Sequence, residues 1–497
     1  MDSPENMENV EQSGGKESIK NPADTSNEPT AAYQRNILRP GTLRTWDAFA
    51  QSIALLALAM GVALSTSFAA QFAGAAAPLA YLITGLGSLC LAYIIIRFTR
   101  RMASAGSLYT YISYGLGPGV GFIGGWLYAG AFAVGIAFTM AISSIYLQGV
   151  LANLQINLDW FVLFCVLLVV LFLFAFFSVR IATRVQLVLA GLGALSIVIL
   201  AIIIIAKGGA NGLSLTPLSP AALPGGFSGL FFATVFSFTS FIGFEAAAVL
   251  GEETVKPRVT IPLAILVAII VGIIFYVLVS YAFSVGYGVA HADKWAADQT
   301  VLDTLAHRYT NTTFATFIDF MVAIDAFVAS LAGLNLTSRI LFAMGRDRGI
   351  PTIFGLTHPR YKTPWVGIVT ALVITLILGA TLGRNLGPFN FFGFLATTAS
   401  LAILVAYILV ALSGIVFFLR SRESKGFVLV VDIVLPIIAI LLCGATIYSS
   451  VIPVPPPPLD LAPYIVGIWL LLGIVLLVVL WVTNRENVRK FGRLLAE

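Results

Sequence analysis

The chain has 497 residues, of which 59% are hydrophobic and 10% are charged, and its formal net charge at pH 7 is +5. Soluble domains contain about 45–50% apolar and about 25% charged residues, so this composition excludes an ordinary soluble protein and indicates a polytopic membrane protein. Long unbroken apolar runs also exclude a transmembrane β-barrel, whose strands alternate in hydrophobicity. The net positive charge is no sign of nucleic-acid binding, because the basic residues lie between the apolar runs.

The chain begins with a polar tail, residues 1–40, whose composition predicts a disordered cytoplasmic segment and not a signal peptide. Twelve apolar runs long enough to cross a bilayer follow it. Their predicted bounds are 47–72, 78–98, 118–150, 159–178, 183–206, 226–250, 261–287, 313–342, 364–382, 388–419, 427–450 and 462–483.

The distribution of Lys and Arg predicts the orientation of these spans. With the N-terminus inside, 24 of the 28 basic residues fall in inner segments and 4 in outer ones. Cytoplasmic loops of membrane proteins carry such an excess of Lys and Arg. We therefore expect both termini in the cytoplasm, with residues 485–497 as a second cytoplasmic tail, and we expect the protein in a bacterial plasma membrane.

The first and sixth spans share an unusual pattern. Each has a central glycine, Gly61 or Gly243, flanked by hydroxyl residues. The two spans run in opposite directions and their starts are five spans apart, which is typical of transporters with two inverted repeats. We expect repeats at 45–210 and 225–420. Both carry an interrupted helix whose free N–H and C=O groups suit a zwitterionic amino acid.

Three stretches resemble the amino acid–polyamine–organocation (APC) superfamily of amino acid permeases. They are residues 105–126 with AGSLYTY, GP and GGW, residues 243–262 with GFE, EE, KP and IP, and residues 338–364 with SR, AMGRD and two prolines. The resemblance covers roughly residues 45–420. It implies an all-α fold with a LeuT-like five-plus-five inverted-repeat core, two peripheral helices at 427–484, and a substrate site between spans one and six.

The resemblance also implies which residues bind substrate. The Gly-x-Gly-x-Phe break of such permeases corresponds here to Ala59, Met60, Gly61, Val62 and Ala63, so that only the second glycine of the pattern is present. In the sixth span, the substrate-facing unwound part corresponds to Phe238, Phe241, Ile242 and Gly243, with Phe241 as a candidate lid over the ligand.

The coupling ion is predicted less directly. Some proton-coupled relatives carry a lysine in span five, where this chain has Gly193, and sodium coupling would draw on hydroxyls such as Ser330. Asp325 lies near the middle of span eight, where an ionisable group is costly and indicates a functional site by default. It would bind a proton or a cationic substrate group, with a protonated packing residue as the alternative. Asp319 lies two turns away, toward the outer vestibule.

Acidic residues follow the predicted break in span six. Glu245 either contacts a positive substrate group or takes up a proton, or it stabilises the broken helix by accepting backbone N–H bonds. Glu252 and Glu253, beside Lys256 and Arg258, are candidates for an inner gate or a surface network.

These patterns predict a secondary active transporter for amino acids that works by alternating access, not an enzyme. The three His residues lie in predicted loops and the three Cys residues show no CxxC spacing, so we expect no metal site and no cofactor, with H⁺ or Na⁺ as the coupling ion. The expected partners are a small-molecule substrate and the lipid bilayer, and not nucleic acid. An exchanger or polyamine carrier on the same fold remains an alternative, as does a non-transporting amino acid sensor.

Overall fold

The computed structural model describes residues 41, 43–177, 181–220, 223–224, 226–420, 429–489 and 491–492. The predicted tail 1–40 lies outside these residues. The described chain is helical throughout, and within it the β-type pairing consists of a single isolated bridge between Leu43 and Thr254. The all-α prediction is therefore confirmed.

The first span consists of three consecutive helices, Thr45–Leu56, Leu58–Ala63 and Ser65–Ala73. Spans two to five are Ala77–Thr99, Pro118–Asn153, Trp160–Phe176 and Ile181–Ala206. A short helix, Leu108–Leu116, precedes the third span. Proline suits the first turn of a helix because the N–H it lacks has no partner there, which fits Pro118 at the start of span three.

The sixth span begins with the helix Gly226–Phe241 and ends in a 3₁₀ helix, Ala246–Leu250. The later spans are Pro257–Tyr287, Thr312–Arg346, Trp365–Leu378, Arg384–Arg420, Leu435–Ser449 and Ala462–Thr483. Two short helices, Ala292–Ala297 and Val301–Tyr309, connect spans seven and eight. Asn311 caps the eighth span by accepting a hydrogen bond of 2.9 Å from the Phe314 amide.

The number of spans follows from these bounds only in part. Ten helical segments in the described residues are long and apolar enough to cross a membrane. One of them, Trp365–Arg420, has 56 residues and is kinked at Gly387 (φ 71°, ψ 158°). The helix Trp160–Phe176 is apolar but shorter, with 17 residues. The predicted count of twelve treats the kinked segment as two spans and the short helix as one, and it stays a prediction.

The third and eighth spans form the centre of the bundle, and the last two spans lie at its edge. The third span packs mainly against the eighth and tenth. The twelfth is fixed to the third by a reciprocal tryptophan pair. The indole N–H of Trp126 donates to the Trp469 carbonyl at 2.9 Å, that of Trp469 donates to the Trp126 carbonyl at 3.2 Å, and the rings stack at 4.3 Å.

Arginine residues cluster with acidic partners at one end of the bundle, which we call the arginine-rich end. The chain just before the first span pairs there with the chain after the sixth. The Leu43 amide donates to the Glu253 carbonyl at 3.0 Å, and the Val255 amide donates to the Leu43 carbonyl at 2.8 Å. The starting part of span one and the final part of span six are thus joined through their main chains.

Candidate functional site

The first span is interrupted at Ala57, which adopts the left-handed conformation (φ 47°, ψ 63°). This conformation is uncommon for residues with a Cβ, so surrounding contacts must hold it. The Leu56 carbonyl accepts a hydrogen bond of 2.6 Å from the Tyr276 hydroxyl of span seven. The prediction that placed the break at 59–63 was wrong in position, because Met60, Gly61, Val62 and Ala63 all lie within the next helical segment.

The carboxylate of Asp325 caps the segment that follows the break. Its Oδ2 accepts hydrogen bonds from the amides of Ala59 at 2.9 Å and Met60 at 3.0 Å. The first N–H groups of a helix have no partner within the helix, which explains why a carboxylate is stable there. Asp325 is fully buried, and its Oδ1 has no hydrogen-bond partner among the described residues.

The sixth span is interrupted at Ile242–Glu245, where Gly243 has a φ of 103°. A Cβ on Gly243 would lie 2.5 Å from the Cγ of Leu55, a residue of the first span beside its own break. Glycine is therefore required here for both its conformation and its size. The two interruptions lie against each other.

Side-chain hydroxyls hold the two broken spans together. Ser240 donates to the Gly61 carbonyl at 2.7 Å, and Ser52 accepts from the Ala247 amide at 3.1 Å. Backbone groups that a broken helix leaves free must be satisfied by protein, water or a ligand at membrane depth. In this conformation, side chains satisfy several of them.

Glu245 lies just beyond the sixth-span break and is fully buried. Its Oε1 accepts hydrogen bonds from two tyrosine hydroxyls, at 2.7 Å from Tyr128 of span three and at 2.9 Å from Tyr407 of span ten. The carboxylate thereby links three spans. Its predicted roles, contact with a positive substrate group, proton uptake and stabilisation of the break, stay predictions.

We expect Tyr407→Phe to lower the melting temperature of the purified protein, because it removes one of the two donors to a buried carboxylate. The loss should be about 1–3 kcal/mol of stability. Thermal unfolding in detergent measures it, with Tyr448→Phe as the control, since the Tyr448 side chain is 63% exposed. If Tyr407→Phe alone leaves the melting temperature unchanged, the hydroxyl does not stabilise this carboxylate.

A cavity of about 40 Å³ lies between the two interruptions. Its walls come from spans one, three, six, eight and ten, and include Ala57, Thr139, Ile242, Gly333 and Ile403. None of the described residues that line it is charged. A ligand in this cavity would touch both breaks at once.

The predicted substrate residues are placed unevenly around the cavity. Met60 and Ile242 line it. Gly61, Val62, Ala63, Phe238, Gly243 and Glu245 are buried nearby but are not part of its lining. Phe241, the expected lid, instead packs edge-to-face on Tyr276 with ring centroids 5.0 Å apart.

Ser330, a candidate for a sodium site, bonds within the protein. Its hydroxyl forms hydrogen bonds with Thr139 of span three at 2.7 Å and with the Ala326 carbonyl at 2.9 Å. Asp325, by contrast, bonds to the segment that follows the break in span one.

Side-chain clusters lie toward both ends of the bundle from the cavity. Phe138 of its wall contacts Phe392 edge-to-face at 5.4 Å, and Phe392 contacts Phe68 of the first span at 5.8 Å. Phe68 in turn stacks on Phe236 at 4.8 Å and on Phe389 at 4.6 Å. This aromatic cluster lies on the side of the two breaks away from the arginine-rich end.

On the other side, the arginine-rich end carries two ion pairs. Glu253 accepts from Arg339 at 2.7 Å, and Glu252 binds Arg346 through two hydrogen bonds of 3.1 Å each. The prediction grouped these glutamates with Lys256 and Arg258, but both of those residues are exposed and the partners come from span eight. The ion pairs join the final part of span six to the end of span eight.

Sequence reasoning missed most of the cavity wall. The contributions of spans three, eight and ten, such as Gly135, Gly333 and Ala399, are small or apolar residues like many others in membrane helices. Only their position in the fold distinguishes them.

The chain is similar in sequence to known amino acid transporters. The sequence model of the family described as amino acid permease matches residues 50–494. The branched-chain amino acid permease BcaP of Lactococcus lactis is 28% identical over 401 residues, covering 74% of this chain and 81% of the relative. Cationic amino acid transporter 4 of Mus musculus is 26% identical over 378 residues, covering 73% of this chain and 57% of the relative.

Two solved structures share the architecture. The manganese transporter of Eremococcus coleocola superposes with a TM-score of 0.55 at 15% identity, covering 90% of this chain and 95% of its own. A Na⁺-coupled sialic acid symporter superposes with a TM-score of 0.52 at 12% identity, covering 84% of this chain and 92% of its own. At these identities the likeness concerns the fold alone.

Proposed function

Because the chain belongs to the amino acid permease family and has a LeuT-like fold, we propose that it is a secondary active amino acid transporter that works by alternating access. The family and its transporters support amino acid transport and not an enzymatic reaction. The observation that carries the proposal is the cavity of about 40 Å³ between two interrupted spans. Discontinuous helices meeting at a central cavity are the usual substrate site of such transporters.

The aromatic cluster and the ion pairs at the arginine-rich end serve as gates in this proposal. The positive-inside pattern supports an orientation in the plasma membrane with the arginine-rich end and both termini on the cytoplasmic side. The Glu253–Arg339 and Glu252–Arg346 pairs then form the inner gate, and the aromatic cluster around Phe68 forms the outer gate. Opening the inner gate separates the final part of span six from span eight.

We infer that Asp325 carries the coupling proton. Its Oδ2 is surrounded by N–H donors, which are poor neighbours for a metal cation, and its buried Oδ1 is free to take a proton. Hard cations require several oxygen ligands. Protonation weakens the bonds to Ala59 and Met60 and releases these amides toward the substrate carboxylate. Proton binding and substrate binding therefore favour each other.

The ionisable groups near Asp325 come from several elements. The Tyr276 hydroxyl of span seven lies at the same break and donates to the Leu56 carbonyl at 2.6 Å. Described residues 187–206 of span five contain no ionisable side chain. Other ionisable side chains on the eighth span, and on or beside the elements packed against it, are Asp47, Tyr128, Tyr146, Cys165, Glu245, Asp303, His307, Arg308, Tyr309, Asp319, Arg339 and Arg346.

Counterflow in proteoliposomes tests the proposed function. Vesicles loaded with an unlabelled mixture of amino acids should accumulate external labelled amino acid transiently, which only a carrier with alternating access produces. Exchange without net proton-driven uptake would favour the exchanger alternative. Binding of amino acids with no counterflow at all would favour the sensor and overturn the transport proposal.

A further inference from the structure

The described residues of the cavity wall offer no charge and no free hydroxyl to a substrate side chain. Its two hydroxyl residues bond within the protein, Thr139 to the Gly135 carbonyl at 3.0 Å and to Ser330 at 2.7 Å, and Thr239 to the Val235 carbonyl at 3.0 Å. Thr239 also bonds the Ser400 hydroxyl at 2.7 Å. A charged substrate side chain buried here would lose its hydration without compensation.

The cavity is also small. A water molecule needs about 10–15 Å³ of such volume, so about 40 Å³ corresponds to roughly three waters. This space suits the few atoms of a short side chain better than a long one.

Two glycines of the wall determine how much space remains. A Cβ added to Gly333 of span eight would lie 3.6 Å from both Ile136 Cγ1 and Leu55 Cδ1, which is ordinary van der Waals contact. A Cβ on Gly135 of span three would have Phe138 as its nearest neighbour, at 3.9 Å. Each position can accept a methyl group without a clash, and that methyl would occupy space in the cavity.

We propose that the substrate is a neutral amino acid with a short aliphatic side chain, and that Gly333, together with Gly135, sets the upper limit on side-chain size. The inference rests on the proposed function, since it names the substrate class of the same cavity. The uncharged wall excludes cationic and acidic side chains. The absence of a side chain at residues 135 and 333 leaves the space for aliphatic carbons.

Competition in the counterflow assay tests the proposal with alanine, valine, leucine, lysine and glutamate as unlabelled competitors. In the wild type, alanine should compete best, leucine more weakly, and lysine and glutamate not at all. In Gly333→Ala, competition by valine and leucine should fall by about 10-fold or more relative to alanine, the effect of one methyl group in an apolar pocket. Gly135→Ala provides a second variant with the same expectation.

Gly191→Ala is the matched control, because Gly191 also lies in a helix but an added Cβ meets nothing within 4 Å. It should leave the order of the competitors unchanged. The proposal is overturned if leucine or lysine competes as well as alanine, or better, in the wild type. It is also overturned if Gly333→Ala and Gly135→Ala each change competition by all substrates equally. Absence of counterflow with every amino acid would instead overturn the proposed function.

Discussion

Replacing Asp325 by asparagine is expected to make uptake independent of a pH gradient. The asparagine oxygen can still accept from the amides of Ala59 and Met60, so the break keeps its cap, but the side chain can no longer gain and lose a proton. Wild-type vesicles should accumulate substrate when the outside is acidic. The variant should show counterflow but lose this accumulation, by 10-fold or more, in the same vesicles.

Asp319→Asn is the control, since Asp319 is another buried carboxylate of the same helix. It should retain proton-driven accumulation. Asp325 would be reduced to a capping residue if its asparagine variant accumulated substrate with the same dependence on pH as the wild type. A sodium gradient applied in parallel shows whether the driving ion has been assigned correctly.

The second large effect is expected for Gly243→Ala, which should reduce counterflow to less than a tenth of the wild-type rate. Alanine at a φ of 103° is strained, and its Cβ would lie 2.5 Å from Leu55 Cγ. Strain of this kind costs about 1–3 kcal/mol before the clash is counted. Because Leu55 also lines the cavity, relief of the clash displaces the cavity wall. Counterflow per mole of reconstituted protein measures the loss.

Gly444→Ala serves as the control, because its added Cβ meets nothing within 4 Å. The double variant Gly243→Ala with Leu55→Ala removes the 2.5 Å contact with Leu55 Cγ, while the contact with Leu55 Cβ at 2.9 Å and the backbone strain stay. Partial recovery of counterflow in the double variant would assign part of the loss to the clash. Normal counterflow in Gly243→Ala alone would show that the sixth-span break does not require glycine.

The two interruptions differ in how far the sequence could predict them. The sixth-span break could be predicted from Gly243, which Phe244 and Glu245 follow, because glycine readily adopts the backbone conformation of a break. The first-span break lies at Ala57, which has no such signature, and a distant carboxylate, Asp325, stabilises the segment after it. A contact between spans one and eight cannot be deduced from local sequence, so the prediction settled on Gly61 instead.

The charged residues show the same limit. Their pattern predicted that Glu252 and Glu253 belong to a cluster with basic residues, and such a cluster exists. Their neighbours in sequence, Lys256 and Arg258, were the natural partners to expect, whereas the fold supplies Arg339 and Arg346. Composition and family resemblance predicted the all-α LeuT-like fold, but the pairing of individual side chains depends on packing between spans.

The main-chain bridge at Leu43 and Val255 has a practical consequence. Both amide hydrogens are held by the same short pairing, so a separation of the two segments would expose them to solvent together. Hydrogen–deuterium exchange measured by mass spectrometry could therefore follow the two peptides that contain these amides, in the wild-type protein and without an attached probe. Simultaneous exchange at both would indicate that the segments part, and slow exchange during turnover would indicate that they travel as one unit.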